Sequence, residues 1–254
     1  MRIIRLISFR TFLCFVSLYL AIISTAQAAE KTLKLALEHW PPYIDRNLPE
    51  YGMAAELVIT ALDRAGYKTN ITFANWSLSL QGTGIGVYDV IAAAWYSKQR
   101  EALFEFSEPY LYNKIKFIKH RKSSIEYRSL DDLRGQIIGV VQNYAYSPEF
   151  DRSDKFYKIP SNHLIQNLSL LQLGKIDLTL DDELVIKHQI ETYLPSSADQ
   201  FVILDKPLDY RALHMMVSRS NPEHKQIVSD FNKAIKQMRE DGTTERIINK
   251  YGIK

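Results

Sequence analysis

Two groups carry most of the chemistry this sequence offers: Arg100, and an acid at Asp181 or Asp182. Arg100 follows an apolar run, Val90 to Ala94, that reads as a strand buried on both faces. The run breaks at Trp95-Tyr96, and Ser97 is placed to cap a short helix with Arg100 in its first turn. A cation there opposes the helix dipole. Two readings follow from the local sequence. Either Arg100 forms a surface ion pair with Glu101 or Glu105, or its guanidinium and the free helix N–H groups converge on one carboxylate. Asp181-Asp182-Glu183 opens another helix, after the strand-like Ile176 to Leu180. Arginine and acid thus stand at the carboxyl ends of two expected parallel strands, where open α/β sheets bind ligands. Opposite charges between aromatic walls suit a small zwitterion.

Other chemistry finds little support. There is no G-x-S-x-G, and no histidine pair has H-E-x-x-H spacing. Asp177, Asp181 and Asp182 do not follow a calcium loop. The glycines of Gln81 to Gly86 precede a strand instead of opening a helix after one, so the segment reads as a flexible loop and not a dinucleotide site. No cofactor or metal is expected. Residues 1–28 carry Arg2, Arg5 and Arg10, an apolar core from Thr11 to Thr25 and the small-x-small site Ala26-Gln27-Ala28, the pattern of a cleaved secretory signal peptide. The chain has 32 basic and 29 acidic side chains; removing three arginines leaves 29 against 29, which gives no argument for nucleic acid or an anionic membrane as partner. Cys14, the only cysteine, lies inside the signal, so the mature chain has no disulfide, thiolate site or cysteine nucleophile. Its core must be held by packing alone in an extracytoplasmic compartment.

The elements that position these groups alternate between strand and helix. Thr32 to Glu38 reads as a strand, and His39-Trp40-Pro41-Pro42-Tyr43 as a stiff loop that presents aromatic rings. Gly52 to Ala65 has helical spacing, Tyr67 to Ala74 reads as a strand, and Trp76 to Leu80 as a helical turn. Further strands are expected at Lys114–Lys119, Gln136–Val141, Lys155–Ile159, Phe201–Leu204 and Leu213–Ser218. Between them lie a helix capped by Ser161 and one opened by Asp181-Asp182-Glu183; two more close the chain, from Asn221-Pro222 to Arg239 and from Thr244 to Tyr251. The pattern is that of an α/β protein with largely parallel sheets.

With those elements in order, the mature chain resembles the periplasmic solute-binding proteins of polar amino-acid ABC importers, solute-binding protein family 3. The resemblance runs from about Thr32 to Gly252. It rests on Trp40-Pro41-Pro42-Tyr43, Gly52, Asp89-Val90-Ile91, Gln99-Arg100, Phe106 to Tyr110, Ser129 to Gly135, Gly139 to Asn143, Gly174 with Asp177, Asp182-Glu183, and Asp241-Gly242-Thr243. It implies the two-lobed type II binding-protein fold, each lobe a mainly parallel sheet flanked by helices. Two crossover hinge strands are implied near Ile115–Lys119 and Leu213–Val217. Lobe 1 would comprise residues 29–117 and 216–254, lobe 2 residues 118–215, the lobes closing on the ligand.

The resemblance also assigns roles. Arg100 would clamp the ligand α-carboxylate, Asp182 would take its α-ammonium, Trp40 would stack on its side chain, and Trp76 would form another wall. The chain departs from the family pattern at Ala54, where an acid is usual; at Trp95-Tyr96, in place of a small residue and a hydroxyl; at Asn143, in place of glycine; and at Tyr144, in place of a threonine that donates to the carboxylate. Trp95 and Tyr144 therefore join the expected ligand-binding set as stacking or cleft-filling residues. The implied function is periplasmic binding of a small polar or zwitterionic, amino-acid-like solute by a monomer, without turnover, for delivery to an inner-membrane ABC permease. Two alternatives use the same scaffold: an enzyme resembling cyclohexadienyl dehydratase, and an orphan ligand sensor without a transporter.

Overall fold

Residues 31–252 are described by a computed structural model; residues 1–28, expected to be a signal peptide, lie outside the described residues. The strands are β1 (Lys31–Leu37), β2 (Tyr67–Phe73), β3 (Val90–Trp95), β4 (Phe104–Phe106), β5 (Leu111–His120), β6 (Ile137–Val141), β7 (Tyr157–Ser161), β8 (Leu178–Asp182) and β9 (Phe201–Ser218). They join one sheet in the order β2-β1-β3-β9-β5-β8-β6-β7, with β4 pairing to β9. At one side β1 and β3 run parallel; at the other, β6 runs parallel to both β7 and β8. Between these groups β5 and β9 pair antiparallel, from Leu111 opposite Leu213 to His120 opposite Phe201. This mixed sheet, covered by helices, is the type II architecture with its two crossover strands.

Helices α1 (Met53–Arg64), α2 (Trp76–Gly84), α3 (Pro148–Arg152), α4 (Leu164–Gln172), α5 (Glu183–Tyr193), α6 (His224–Glu240) and α7 (Thr243–Lys250) cover it. Their apolar stripes face inward as helical spacing dictates. On α1 these are Met53, Ala54, Leu57, Val58, Ala61 and Leu62; on α6, Ile227, Val228, Phe231, Ile235 and Met238. Ala54 is fully buried and its backbone N–H donates to Tyr43 O at 2.9 Å, so an alanine there ties α1 to the aromatic loop.

Strand β4 is not expected from the sequence, and three other elements differ from the expectation for a local physical reason. The Gln81–Gly86 loop is helical as far as Gly84, because Asn75 caps α2 by accepting from Leu78 N and the helix buries Trp76, Ser79 and Thr83. Gly82 belongs inside that helix for a packing reason: a Cβ there would lie 2.7 Å from the Tyr88 ring. The two short strands expected after residue 200 are one, β9. Pro207 lacks an N–H for the ladder and sits where the β5–β9 register shifts, so the strand bulges and continues instead of ending. Finally, α4 starts after His163, not at Ser161. The Gln166 side chain reaches back to accept from the N–H groups of Asn162 and His163.

Candidate functional site

β3 carries the first part of the site. Its Trp95 is buried and donates from Nε1 to Asn113 Oδ1 at 2.8 Å. A 3-10 turn, Lys98–Ala102, follows directly and holds Arg100. Ser97 occupies its cap position without a capping hydrogen bond. Arg100 is buried, and neither Glu101 nor Glu105 takes it as a partner in the way the surface reading expected. Lys98 and Tyr96 bond to Glu101, and Arg219 pairs with Glu105. The guanidinium instead donates to two backbone carbonyls, Trp95 O at 2.7 Å and Asn143 O at 2.6 Å, and lies 4.9 Å over the Trp76 ring. Burial and the nearby Arg211 lower its pKa to about 10, so it remains charged at neutral pH. Two of five N–H donors are spent on carbonyls; the remainder are available to an anion.

Asn143 belongs to the turn after β6. Its φ is +63°, a left-handed conformation that asparagine tolerates better than most residues. This explains how asparagine stands where the family pattern has glycine. Asn143 O also accepts from Trp76 Nε1 at 2.8 Å, and Asn143 Nδ2 donates to Ser77 Oγ. One residue thus fastens the 137–161 half of the sheet to α2 and to Arg100.

The aromatic residues form a continuous set. Trp40 stacks on Tyr43 with ring centroids 4.6 Å apart and meets Trp95 edge-on at 5.8 Å. Trp95 packs against Tyr144 at 5.2 Å, and Tyr144 against Trp76 at 5.8 Å. Trp40, Trp76, Trp95, Arg100, Tyr144 and Glu38 line a cavity of about 20 Å³, the size of a single water. From it, Arg100 and Tyr144 also border an open groove of about 1020 Å³ that runs past Ser77, Gln99 and Gln142. Five of the six expected site residues therefore meet around one point.

The sixth does not line that cavity. Asp182 caps α5 by accepting from Leu184 N and Val185 N, and it also accepts from Tyr43 OH, Asn113 Nδ2 and Lys114 N. Both oxygens are engaged within the protein. Since Asn113 also holds Trp95, Asp182 acts on the chamber through that chain. Its neighbour Asp181 is fully buried, accepts from Trp40 Nε1 at 3.2 Å through Oδ1, and has no partner for Oδ2.

Glu38, at the end of β1, was read from the sequence only as a strand residue. Tyr144 OH donates to it at 3.2 Å. Burial, with the nearby Asp181 charge added, raises its pKa to about 8; burial likewise raises Asp181 to about 7. The signal available in the sequence was an acid closing an alternating strand beside His39-Trp40. Nothing in residue type alone says that it turns inward under Tyr144.

The profile of the bacterial extracellular solute-binding proteins, family 3, matches residues 33–254. The L-cystine-binding protein TcyA of Bacillus subtilis (strain 168) is 23% identical over 202 residues, 79% of this chain and 72% of its own. An ancestral arginine-binding protein solved with arginine bound superposes with a TM-score of 0.74 at 20% identity, covering 87% of this chain and 97% of that one. A histidine kinase sensor domain with similarity to periplasmic binding proteins gives 0.75 at 19% identity, covering 87% and 96%. These superpositions show a shared fold. The profile match spans nearly all of the described chain, and on that ground the chain belongs to the bacterial extracellular solute-binding proteins, family 3.

Proposed function

We propose that this chain is a periplasmic, monomeric receptor that binds a small amino-acid-like solute between two lobes and hands it to an ABC permease. The lobes would be 29–117 with 216–254, and 118–215, hinged on β5 and β9. The observation that carries the reading is Arg100, a buried cation with free donors, set in an aromatic chamber and tied through Asn143 O to the opposite half of the sheet. A guanidinium fork in such a site suits a carboxylate. Trp40, Trp76, Trp95 and Tyr144 supply walls, and Asp182 sets two of them through Tyr43 and Asn113. The chamber is too small for an amino acid as it stands, so admission requires the halves to separate and the rings to part. TcyA, a relative named for cystine binding, fits the same class of ligand.

Isothermal titration calorimetry of the mature protein against an amino-acid panel tests this. Arg100→Ala should weaken binding at least about 100-fold, the loss of a charge-assisted pair in a buried site. Unaltered affinity in that variant would remove Arg100 from the site. A second reading, acid catalysis on this scaffold, is favoured by one feature: the Glu38 carboxyl, raised to about 8, holds its proton at neutral pH. Conversion of prephenate or arogenate to a decarboxylated aromatic product would establish it, and recovery of the compounds unchanged would dismiss it.

A further inference from the structure

On the far side of Trp40 and Tyr144 from Arg100 lies a second pocket, of about 240 Å³, at the start of α4 and along α5. Glu38, Trp40, Tyr144, His163, Asp181 and Gln189 are among its lining residues. Two of them carry buried acceptors with no donor: Asp181 Oδ2 and Gln189 Oε1. Asp181 is wholly buried and Gln189 is 6% exposed. Buried polar atoms are nearly always paired, so two orphaned acceptors on one pocket wall are a specific absence of donors. Trp40 and Tyr144 add π faces, which attract cations.

We infer that this pocket is the subsite for a cationic, hydrogen-bond-donating group of the solute, a guanidinium or an ammonium, held by Asp181 and Gln189 with Glu38 beside it. The inference rests on the amino-acid-like reading above and deepens it, because it fixes the charge of the ligand's far end. Guanidinium offers five donors and ammonium three, and neither has an acceptor. Two unpaired acceptors therefore favour such a donor-rich group over a carboxylate, which brings no donor, and the Asp181 carboxyl, ionised beside an arriving cation, favours it over a neutral amide or hydroxyl. The cationic side chains facing this pocket are histidines. Burial, with neighbouring His39, lowers the His163 pKa, which disfavours an imidazolium that would oppose a cation here. Trp40 and Tyr144 separate this pocket from the Arg100 chamber while bordering both, so one extended molecule can place an anion at Arg100 and a cation here.

The test uses L-arginine, L-citrulline (its uncharged near-isostere) and L-glutamine as probes, with wild type, Asp181→Asn, Gln189→Leu and Arg100→Ala measured by calorimetry. The expected result is that L-arginine binds at least about 10-fold more tightly than L-citrulline. Asp181→Asn should erase that ratio, and Gln189→Leu should reduce it about 3- to 10-fold. Thermal unfolding without ligand checks that each variant is folded. Equal affinity for L-arginine and L-citrulline, or an unchanged ratio in folded Asp181→Asn, overturns the subsite. If in that case L-glutamine still binds and Arg100→Ala abolishes it, the amino-acid reading survives and only the cationic subsite is lost. Failure of all three probes to bind counts against both.

Discussion

The Asp182 carboxylate accepts five hydrogen bonds, from the start of α5, from β5, from Asn113 and from Tyr43. Removing it would strip a helix cap and leave a buried amide, a phenol and a backbone N–H without partners. Asp182→Ala should therefore cost about 2–4 kcal/mol, read as a lower midpoint in urea unfolding with an unchanged slope. A variant as stable as wild type would show that water fills the gap at no cost. Glu38 makes the opposite case, a carboxyl whose charge burial disfavours. Its folded pKa, about 8, lies above its ordinary 4.5, so the folded chain holds the proton more tightly than the unfolded one. The resulting stabilisation is complete below about pH 4.5 and fades as pH rises to about 8. Burial lowers His163 and His214, which acts in the other direction below their ordinary 6.5. Comparison with Glu38→Gln cancels that contribution. At pH 9 the Gln variant should melt at a higher temperature than wild type, and the gap should close by pH 5; parallel melting profiles would contradict it. Residue type and order make Arg100, the three tryptophans and Tyr144 candidates, and the fold brings them to one cavity. Local spacing left Asp181 and Asp182 open and the family resemblance chose Asp182, whereas Asp181 is the one that lines the second pocket; adjacent strand residues point to opposite faces, so the register of β8 decides which faces it.

The elements repeat that lesson at larger scale. Alternation, helical spacing and a continuous apolar run placed β1, α1, β2 and β3 to within one position, because the apolar pattern of each is regular. What spacing did not show was β9 as one strand, because Pro207 reads locally as a break and only pairing with β5 carries the ladder past it. Nor did it show α2 continuing through its glycines, because Tyr88 lies distant in the pattern and adjacent only in the fold. The Trp40–Tyr43 loop illustrates how one glycine sets a functional element. Gly52 has φ +97°, and a Cβ there would lie 2.6 Å from Tyr43 O. That same carbonyl accepts from Ala54 N at the first turn of α1. Gly52→Ala should push the loop away from α1, costing about 1–3 kcal/mol and loosening Trp40. Tryptophan fluorescence checks it: the emission of the variant should shift to longer wavelength as Trp40 gains solvent, whereas an unshifted spectrum would place the strain elsewhere.

On the two-lobed reading proposed above, the decisive quantity for the whole molecule is the balance between closed and open arrangements of the two halves of the sheet. The closed form would be held by the chain's own bonds between those halves: Trp40 Nε1 to Asp181, Tyr43 OH to Asp182, Tyr144 OH to Glu38, Trp76 Nε1 and Arg100 Nη2 to Asn143 O, and Asn143 Nδ2 to Ser77 Oγ. Several of these involve residues proposed to touch the solute, so their loss would confound binding with closure. The Ser77–Asn143 bond is the useful exception, because Ser77 borders the outer groove and not the chamber. Ser77→Ala removes one net hydrogen bond from the closed form alone, worth about 0.5–1.5 kcal/mol. A ligand that binds the closed form should then dissociate about 2- to 10-fold faster with little change in association, and its affinity should fall by the same factor. Stopped-flow measurement of the two rates distinguishes this from a lost ligand contact elsewhere. An unchanged dissociation rate would mean that closure does not rest on that bond, and the clasp would then lie in the other bonds between the halves.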